Sequence, residues 1–404
     1  MEQWKHNLYI AVAVQLMVTG TFQIVTPFLP FFISELGVTE PEAVQRWSGI
    51  LVGINALFTG LFSPFWGSLS DRYGRKPMLI RSAASIALFT FLTSLSTNVY
   101  HVLLFRILLG AFSGFSAAAL SLIGAMVPET YLGYSVGLLQ AGQVLGLLVG
   151  PLLGGVLADV LSYRYVFRLG SLLAAIATFL ALRYIKEDFR PVNTREASRS
   201  WPFLSLRWPS SIWIMFTVIF LSQFATRGVE PLIPLYVRDL VKESSALNTL
   251  AGLSMAVQGV SSVLGAVAVG KLAERVGYKR LLLFNLFMAS ILYLPQAMIE
   301  SIGLFIFLRL IQGFFLGGLL PSANSLIALF TPVEKRGSVY GLTSSAFFFG
   351  NFSGPLVAGF LASHWGLKAI FYVATSLLVL NLMWVVWEVR EPEKETEQGQ
   401  RFHT

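Results

Sequence analysis

Gly67-Ser-Leu-Ser-Asp71-Arg72-Tyr-Gly74-Arg75-Lys76 is the stretch that decides the fold, because a second copy follows at Gly270-Lys-Leu-Ala-Glu274-Arg275-Val-Gly277-Tyr-Lys279. Other residues recur at nearly the same separation. Arg106 and Gly110 match Arg309 and Gly313, and Gly137, Gly146, Gly150, Pro151 and Gly155 match Gly341, Gly350, Gly354, Pro355 and Gly359. Repetition over this length indicates two homologous halves.

Long apolar runs surround both copies. Of the 404 residues 55% are hydrophobic and only 12% are charged, whereas soluble domains carry about 25% charged residues. One membrane span needs about 20 apolar residues, so the runs predict twelve spans and leave little room for a soluble domain. We therefore predict an all-α membrane protein with twelve transmembrane helices in two pseudo-symmetric six-helix bundles. The predicted boundaries are 1–185 for the first bundle, 186–210 for a linker, 211–390 for the second bundle and 391–404 for a tail.

The positive charges predict the orientation. Most of the 29 Lys and Arg residues fall in loops on one side of the predicted membrane, and such loops face the cytoplasm. Both termini, the linker and the tail are therefore predicted to be cytoplasmic. The net charge of +8 is explained by topology, so we predict no nucleic-acid partner. The absence of cysteine and the short outer loops are typical of a bacterial cytoplasmic (inner) membrane protein, which we expect to be a monomer.

The repeated loop has two interpretations. Its glycines permit a tight turn, and Asp71 is placed to meet a helix N-terminus or an arginine, both of which favour a carboxylate. It is then a conformational latch, or alternatively a loop that only supplies positive charge. The predicted latch residues are Gly67, Asp71, Arg72, Gly74, Arg75, Lys76, Glu274 and Arg275.

A glycine-proline stripe occupies the fifth span. Small residues let helices approach closely in a membrane, and proline removes a backbone donor, so this helix is predicted to pack tightly and bend. Packing alone is the simpler alternative. The stripe consists of Gly137, Gly146, Gly150, Pro151, Gly154 and Gly155.

These motifs resemble those of the major facilitator superfamily over essentially the whole chain, and in particular its drug:proton antiporter branch. The 67–76 loop is similar to the family's cytoplasmic loop motif, Arg106 with Gly110 to its fourth-helix arginine motif, and the stripe to its antiporter motif. The segments 27–30, 47–49, 63–67 and 236–238 are most similar to a bacterial multidrug resistance protein of that branch. The resemblance implies an exporter that works by alternating access, with spans one, four, seven and ten around the cavity.

Glu230 is the acidic residue that lies deep in a predicted span. Burying a charge in a bilayer costs about 2.5–3.5 kcal/mol on insertion scales, so its presence needs a reason. Arg227 lies three positions earlier on the same helical face. We predict that Glu230 couples transport to protons, with Arg227 as its partner or as a substrate anchor. The alternative is a static pair that supports a broken helix.

Further polar residues within the predicted spans are candidates for the site. Arg106 is predicted to share in proton coupling on the strength of the resemblance, while Arg309 contacts either substrate or helix ends. The predicted cavity residues are Gln15, Thr19, Gln23, Gln140, Gln143, Gln223, Phe224, Arg227, Arg309 and Phe348.

Missing motifs narrow the function. The four histidines are scattered, and no Gly-x4-Gly-Lys-Ser/Thr phosphate loop occurs, so we predict no metal, no cofactor, no ATP-driven step and no enzyme activity. We expect a proton-coupled antiporter that exports small amphipathic compounds such as drugs. Four arginines against one glutamate in the spans favour anionic or zwitterionic metabolites, for example siderophores. An uptake transporter or lipid flippase of the same fold, and a membrane sensor or scaffold without transport, remain as alternatives.

Overall fold

The computed structural model describes residues 3–187, 210–242, 244–331 and 336–389. These residues form α-helices and short 3₁₀ turns, and twelve helical segments are long and apolar enough to cross a membrane. The predicted fold class is confirmed. The helices are α1 Gln3–Val25, α2 Leu29–Glu35, α3 Pro41–Tyr73, α4 Arg75–Ser94, α5 Val99–Phe112, α6 Phe115–Met126, α7 Glu129–Val160, α8 Tyr163–Tyr184, α9 Ser210–Val229, α10 Ile233–Val241, α11 Leu247–Val276, α12 Tyr278–Met298, α13 Ile302–Phe330, α14 Arg336–Trp365 and α15 Ala369–Glu388.

Three spans consist of two helices each. The first span is α1 and α2, joined by the 3₁₀ turn Thr26–Phe28, and the seventh is α9 and α10, joined by the 3₁₀ turn Glu230–Leu232. Each turn has a proline at its second position, which lacks the backbone N–H that a continuous helix requires. The fourth span, α5 and α6, is interrupted at Gly114, whose φ of +105 favours glycine.

Most of the predicted linker and all of the predicted tail, 391–404, lie outside the described residues. Within the first half, α1 packs against α7 and α8; within the second, α9 packs against α14 and α15. Two helix pairs form the largest contacts between the halves in the described part of the chain: α3 with α14, and α7 with α11. These are spans 2 and 11, and spans 5 and 8, so the duplicated halves meet through equivalent surfaces.

The buried apolar clusters differ between the two ends of the bundle: one cluster contains residues of both halves, and the others lie within a single half. We call the end that carries Gly74 and Gly277 the basic end, and the end that carries Gly37 and Gly366 the opposite end. One cluster of buried apolar side chains combines residues of both halves, such as Phe28 and Leu232 next to the broken spans. The clusters of the basic end stay within one half: Leu79 with Leu122 in the first and Val269 with Leu281 in the second.

Candidate functional site

A cavity of about 260 Å³ lies between the two halves, close to the smallest volumes typical of small-molecule sites. Helices of both halves contribute to its wall. Its charged residues are Arg227 and Glu230, and its polar residues are Gln23, Thr26, Gln223, Thr226, Gln258 and Ser262. Its apolar residues include Val52, Leu147, Met255, Val263, Leu316 and Leu320. We refer to this space as the chamber.

Glycines close the opposite end of the chamber between α3 and α14. A Cβ on Gly53 would lie 2.6 Å from the carbonyl oxygen of Phe352, and a Cβ on Gly359 would lie 2.7 Å from that of Gln45. Such separations leave no room for a side chain. The halves are therefore in backbone contact here.

Asp159 fastens the same end between α7 and α11. Its carboxylate accepts hydrogen bonds from the backbone N–H groups of Asn248 and Thr249, at 2.9 and 2.8 Å. It also accepts from Asn248 Nδ2 and from the Thr249 hydroxyl. The Tyr163 hydroxyl donates to Asn248 Oδ1 at 3.1 Å. A carboxylate of the first half thus caps the N-terminus of a helix in the second half, a position that favours negative charge.

The same helices separate toward the basic end. A Cβ on Gly67 of α3, Gly137 of α7 or Gly270 of α11 would meet nothing within 4 Å. Nearer the middle of the bundle, a Cβ on Gly60 of α3 would meet Phe348, and a Cβ on Gly259 of α11 would lie 3.9 Å from the Leu147 carbonyl oxygen. The described residues thus close the chamber at the opposite end and leave it open at the basic end.

The Arg227–Glu230 pair projects into the chamber from the break in the seventh span. Arg227 Nη1 donates to both carboxylate oxygens of Glu230, at 3.0 and 2.7 Å. The two side chains are 43% and 37% exposed, so both reach the chamber. Among the described residues, Nε and Nη2 of Arg227 make no hydrogen bond and Glu230 accepts from no other group, which leaves donors and lone pairs available to a ligand.

Arg106 and Arg309 occupy equivalent places outside the chamber. Arg106 is 4% exposed and borders a small cavity with Thr21, Thr26, Thr90 and Thr93. Arg309 is 1% exposed, and its Nε has no partner in the described part of the chain. Neither lines the chamber in this conformation.

The remaining predicted cavity residues divide into three groups. Gln23 and Gln223 line the chamber next to the pair. Gln15 is buried and donates to the Thr19 and Ser116 hydroxyls, so it ties helices together. Four others do not line the chamber: Gln140 is exposed, Gln143 is half-buried, Phe224 lies against α14 and α15, and Phe348 is half-buried next to Gly60 of α3.

The glycine-proline stripe packs on two sides. Cβ atoms on Gly146 and Gly154 would lie 2.8 and 2.5 Å from carbonyl oxygens of α1, and one on Gly150 would lie 2.5 Å from Gln23. Gly155 and Pro151 instead face α11, where they meet Asn248 and Gly252. The stripe therefore packs α7 against the first span and against the other half.

At the basic end, Gly74 turns the predicted latch loop with a φ of +102. The side chains of Asp71 and Glu274 lie outside the described part of the structure, and Arg72 and Arg275 are exposed. The observed partner of the loop is Glu187, whose carboxylate accepts from the backbone N–H groups of Arg75 and Lys76 at 2.9 and 2.7 Å. Neither Glu187 nor Asp159 is among the residues predicted from the sequence. Asp159 gives a weak signal, since it directly follows the charge-free run 130–158, whereas Glu187 lies between Lys186 and Asp188 in a charged segment and nothing sets it apart.

No group of His, Asp or Glu residues that could hold a metal ion occurs within residues 3–187, 210–242, 244–331 and 336–389. The polar and charged side chains of the chamber can form ion pairs and hydrogen bonds with a ligand.

Comparison with known sequences places the fold in a family. The chain matches the sequence profile of the Major Facilitator Superfamily over residues 11–293 and 239–403. It belongs to the major facilitator superfamily, a family of membrane transporters, which confirms the predicted resemblance and the prediction of a transporter rather than an enzyme.

Two relatives carry the same name. The multidrug resistance protein MdtG of Proteus mirabilis is 33% identical over 393 residues, 97% of this chain and 98% of that protein. MdtG of Dickeya zeae is 35% identical over 379 residues, 94% of this chain and 93% of that protein. The predicted similarity to a bacterial multidrug resistance protein is confirmed.

Solved structures share the fold at low sequence identity. A bacterial homolog of the human lysosomal transporter Spinster, in an inward-facing and occupied conformation, has a TM-score of 0.78 at 15% identity and covers 94% of this chain and 96% of that one. The nucleoside transporter NupG has a TM-score of 0.75 at 14% identity, over 93% and 99% of the two chains. These similarities concern the fold alone.

Proposed function

We propose that this protein is a multidrug exporter of the bacterial cytoplasmic membrane that exchanges protons for small amphipathic compounds by alternating access. The observation that carries the proposal is the Arg227–Glu230 pair, exposed in a chamber between two duplicated halves. The name of the MdtG relatives, which match nearly the full chain, supports drug export.

The orientation follows from the distribution of charge. The basic end carries most of the Lys and Arg residues, and the positive-inside rule assigns it to the cytoplasm. The conformation described, open at the basic end, is then inward-facing. Cargo enters the chamber from the cytoplasm.

Glu230 exchanges the proton. A carboxylate inside the membrane needs a compensating charge, and Arg227 supplies it in the state described. Protonation of Glu230 removes its charge and breaks the strongest contact that Arg227 makes. The chamber therefore has two charge states that a transport cycle can alternate between. Arg106, buried outside the chamber, is proposed to influence this step from the first half.

Reconstitution of the full chain in liposomes tests the proposal. Antibiotics, siderophores and lysolipids are screened for proton flux across the membrane that depends on the added compound. The Glu230→Gln variant is then tested with a compound that produced proton flux. It is expected to lose uphill transport driven by a pH gradient while downhill exchange continues, because glutamine has nearly the same shape as glutamate but cannot bind and release a proton. Uphill transport by the Gln variant at the wild-type rate would contradict the assignment of Glu230.

A further inference from the structure

We infer that the preferred cargo is a zwitterion, whose anionic group binds Arg227 and whose cationic group binds Glu230. The inference rests on the proposed function and specifies the substrate class of the same chamber. It follows from three features: the pair is exposed, it is incompletely bonded, and the remaining lining is uncharged.

The pair offers two separate binding surfaces. Both hydrogen bonds between the residues use Nη1 of Arg227. Arg227 lines the chamber, so its Nε and Nη2, which have no hydrogen-bond partner among the described residues, are donors for an anion. Glu230 lines the same space, and the lone pairs that Arg227 does not use suit an ammonium group. Since the other lining residues are neutral, an ion of either sign finds its counter-charge only at this pair.

An anionic and a cationic cargo have opposite effects on proton binding at Glu230. An anion on Arg227 adds negative charge beside Glu230 and so favours its protonation. Anion and proton then bind together and move in the same direction. A cation on Glu230 and a proton on Glu230 exclude each other, which is the condition for exchange in opposite directions. Exchange by direct competition at Glu230 therefore requires a positive charge on the cargo.

A simple cation satisfies that condition poorly. Arg227 lies 2.7 Å from the Glu230 carboxylate. A cation that binds Glu230 must therefore lie close to the Arg227 guanidinium, whose like charge repels it. A zwitterion relieves this repulsion by placing its anionic group on the free donors of Arg227. The charged or titratable groups that face Glu230 from neighbouring helices are Arg309 and Tyr293. Both are buried, so they leave the cargo to the pair.

The lining also limits the size of the cargo. Met255, Leu316 and Leu320 provide an apolar wall next to the ring of Gln23, Gln223 and Gln258. A volume of about 260 Å³ accommodates a compound with one aromatic or short aliphatic group and two charged groups. We therefore assign the chamber to small amphipathic zwitterions.

Three probes with permanent charges test the inference on the purified full chain in detergent. They share a phenyl group: 3-(benzyldimethylammonio)propanesulfonate is a zwitterion, benzyltrimethylammonium a cation and 3-phenylpropanesulfonate an anion. None of them titrates near neutral pH, so every proton that appears or disappears in weakly buffered solution comes from the protein. Calorimetry gives the affinity, and a pH indicator gives the protons exchanged.

The zwitterion is expected to bind at least about tenfold more tightly than either ion and to release protons, a difference of about 1.4 kcal/mol. Arg227→Gln should remove its advantage over the cation. Glu230→Gln should abolish proton release and leave binding through Arg227. Tightest binding by the anion or by the cation would overturn the zwitterion while leaving proton exchange at Glu230 intact. Binding of all three probes without proton exchange would instead contradict the proposed function.

Folding of the variants is checked independently. Thermal unfolding of each purified variant is compared with that of Gln258→Ala, a change of another chamber residue that carries no charge. A variant that unfolds early is replaced by Arg227→Lys or Glu230→Asp, which keep the charge and move it. These variants are expected to retain the sign of proton exchange with weaker affinity, and a reversed sign would overturn the inference.

Discussion

The opposite end and the basic end of the bundle are built from the same four helices, yet the glycine contacts between the halves among the described residues lie toward the opposite end. At the opposite end, Gly53 and Gly359 bring backbones together and Asp159 caps α11 across the interface. At the basic end, Gly67, Gly137 and Gly270 lie on the same helices with no neighbour. Small residues thus continue beyond the present contact. In the proposed cycle, they provide the surface on which the basic end closes when the opposite end opens.

A second contrast concerns two carboxylates that each cap a helix. Asp159 caps α11 from the other half, whereas Glu187 caps α4 from within its own half. The chemistry is the same, but of the two carboxylates it is Asp159 that links parts which the proposed cycle would separate. Removing each of them therefore distinguishes conformational balance from folding stability.

The largest expected effect is at a closed-end glycine. A Cβ at Gly252 would collide with the carbonyl oxygen of Pro151. Overpacking of this kind destabilises the closed contact by about 1–3 kcal/mol, so Gly252→Ala should force α7 and α11 apart at the opposite end. A cysteine at Val52, in the chamber wall, is then expected to react faster with a membrane-impermeant maleimide added from that side. The chain has no native cysteine, so the label is specific.

Gly270→Ala is the matched control on the same helix. Its added methyl group meets nothing within 4 Å, and alanine is the better helix former by about 1 kcal/mol. Maleimide access from the opposite end should stay at the wild-type rate. Equal access in both variants would show that the contrast between the ends is wrong.

Asp159→Asn should have the next largest effect. The Asp159 carboxylate accepts hydrogen bonds from two backbone and two side-chain donors, and asparagine has no negative charge. A hydrogen bond to a charged group contributes about 1.5–3 kcal/mol to stability. We expect the population open at the opposite end to rise, measured by the same maleimide reaction at position 52. Glu300→Gln, at an exposed residue of the same end, is the control and should leave the reaction rate unchanged. An unchanged rate in Asp159→Asn as well would remove Asp159 from the interface account.

Glu187→Gln is expected to act on stability alone. Its cap on α4 is worth about 0.3–1 kcal/mol, so the midpoint of thermal unfolding should fall modestly while maleimide access at position 52 does not change. A change in access without a change in the midpoint would mean that Glu187 also controls the conformational balance.

The smallest effect is expected for Gly137→Ala in the conformation described. No atom lies within 4 Å of the added Cβ, whereas at Gly146 it would lie 2.8 Å from the Leu16 carbonyl oxygen. Gly146→Ala should therefore lower the thermal midpoint clearly and Gly137→Ala hardly at all. Similar losses in both would contradict the two-sided packing of the stripe.

Much of this architecture is predictable from the sequence, because duplication and the length of apolar runs are properties of the chain itself. The proximity of Arg227 to Glu230 is local and follows from their spacing, and the break at Pro231 follows from proline itself. The same property of proline explains the break at Pro27, which was not predicted. The partners of Asp159 are not local: Asn248 and Thr249 lie in the other half, and nothing in an apolar helix end specifies them. Polar residues in a span likewise do not show whether they line a chamber or tie helices together. Gln23 and Gln15 lie on the same helix and were both predicted to line the cavity, but only Gln23 of the two does so, while Gln15 bonds to neighbouring hydroxyl groups.

Distances between spin labels at both ends of α7 and α11 test the central claim most directly. Cysteines at Val160 and Ala246 report on the opposite end, and cysteines at Tyr134 and Leu272 report on the basic end; all four positions are exposed. When pH and a bound cargo are varied, the account predicts that one distance shortens whenever the other lengthens. If both distances lengthened or shortened together, or if only one of them changed, the claim that one end closes as the other opens would be contradicted.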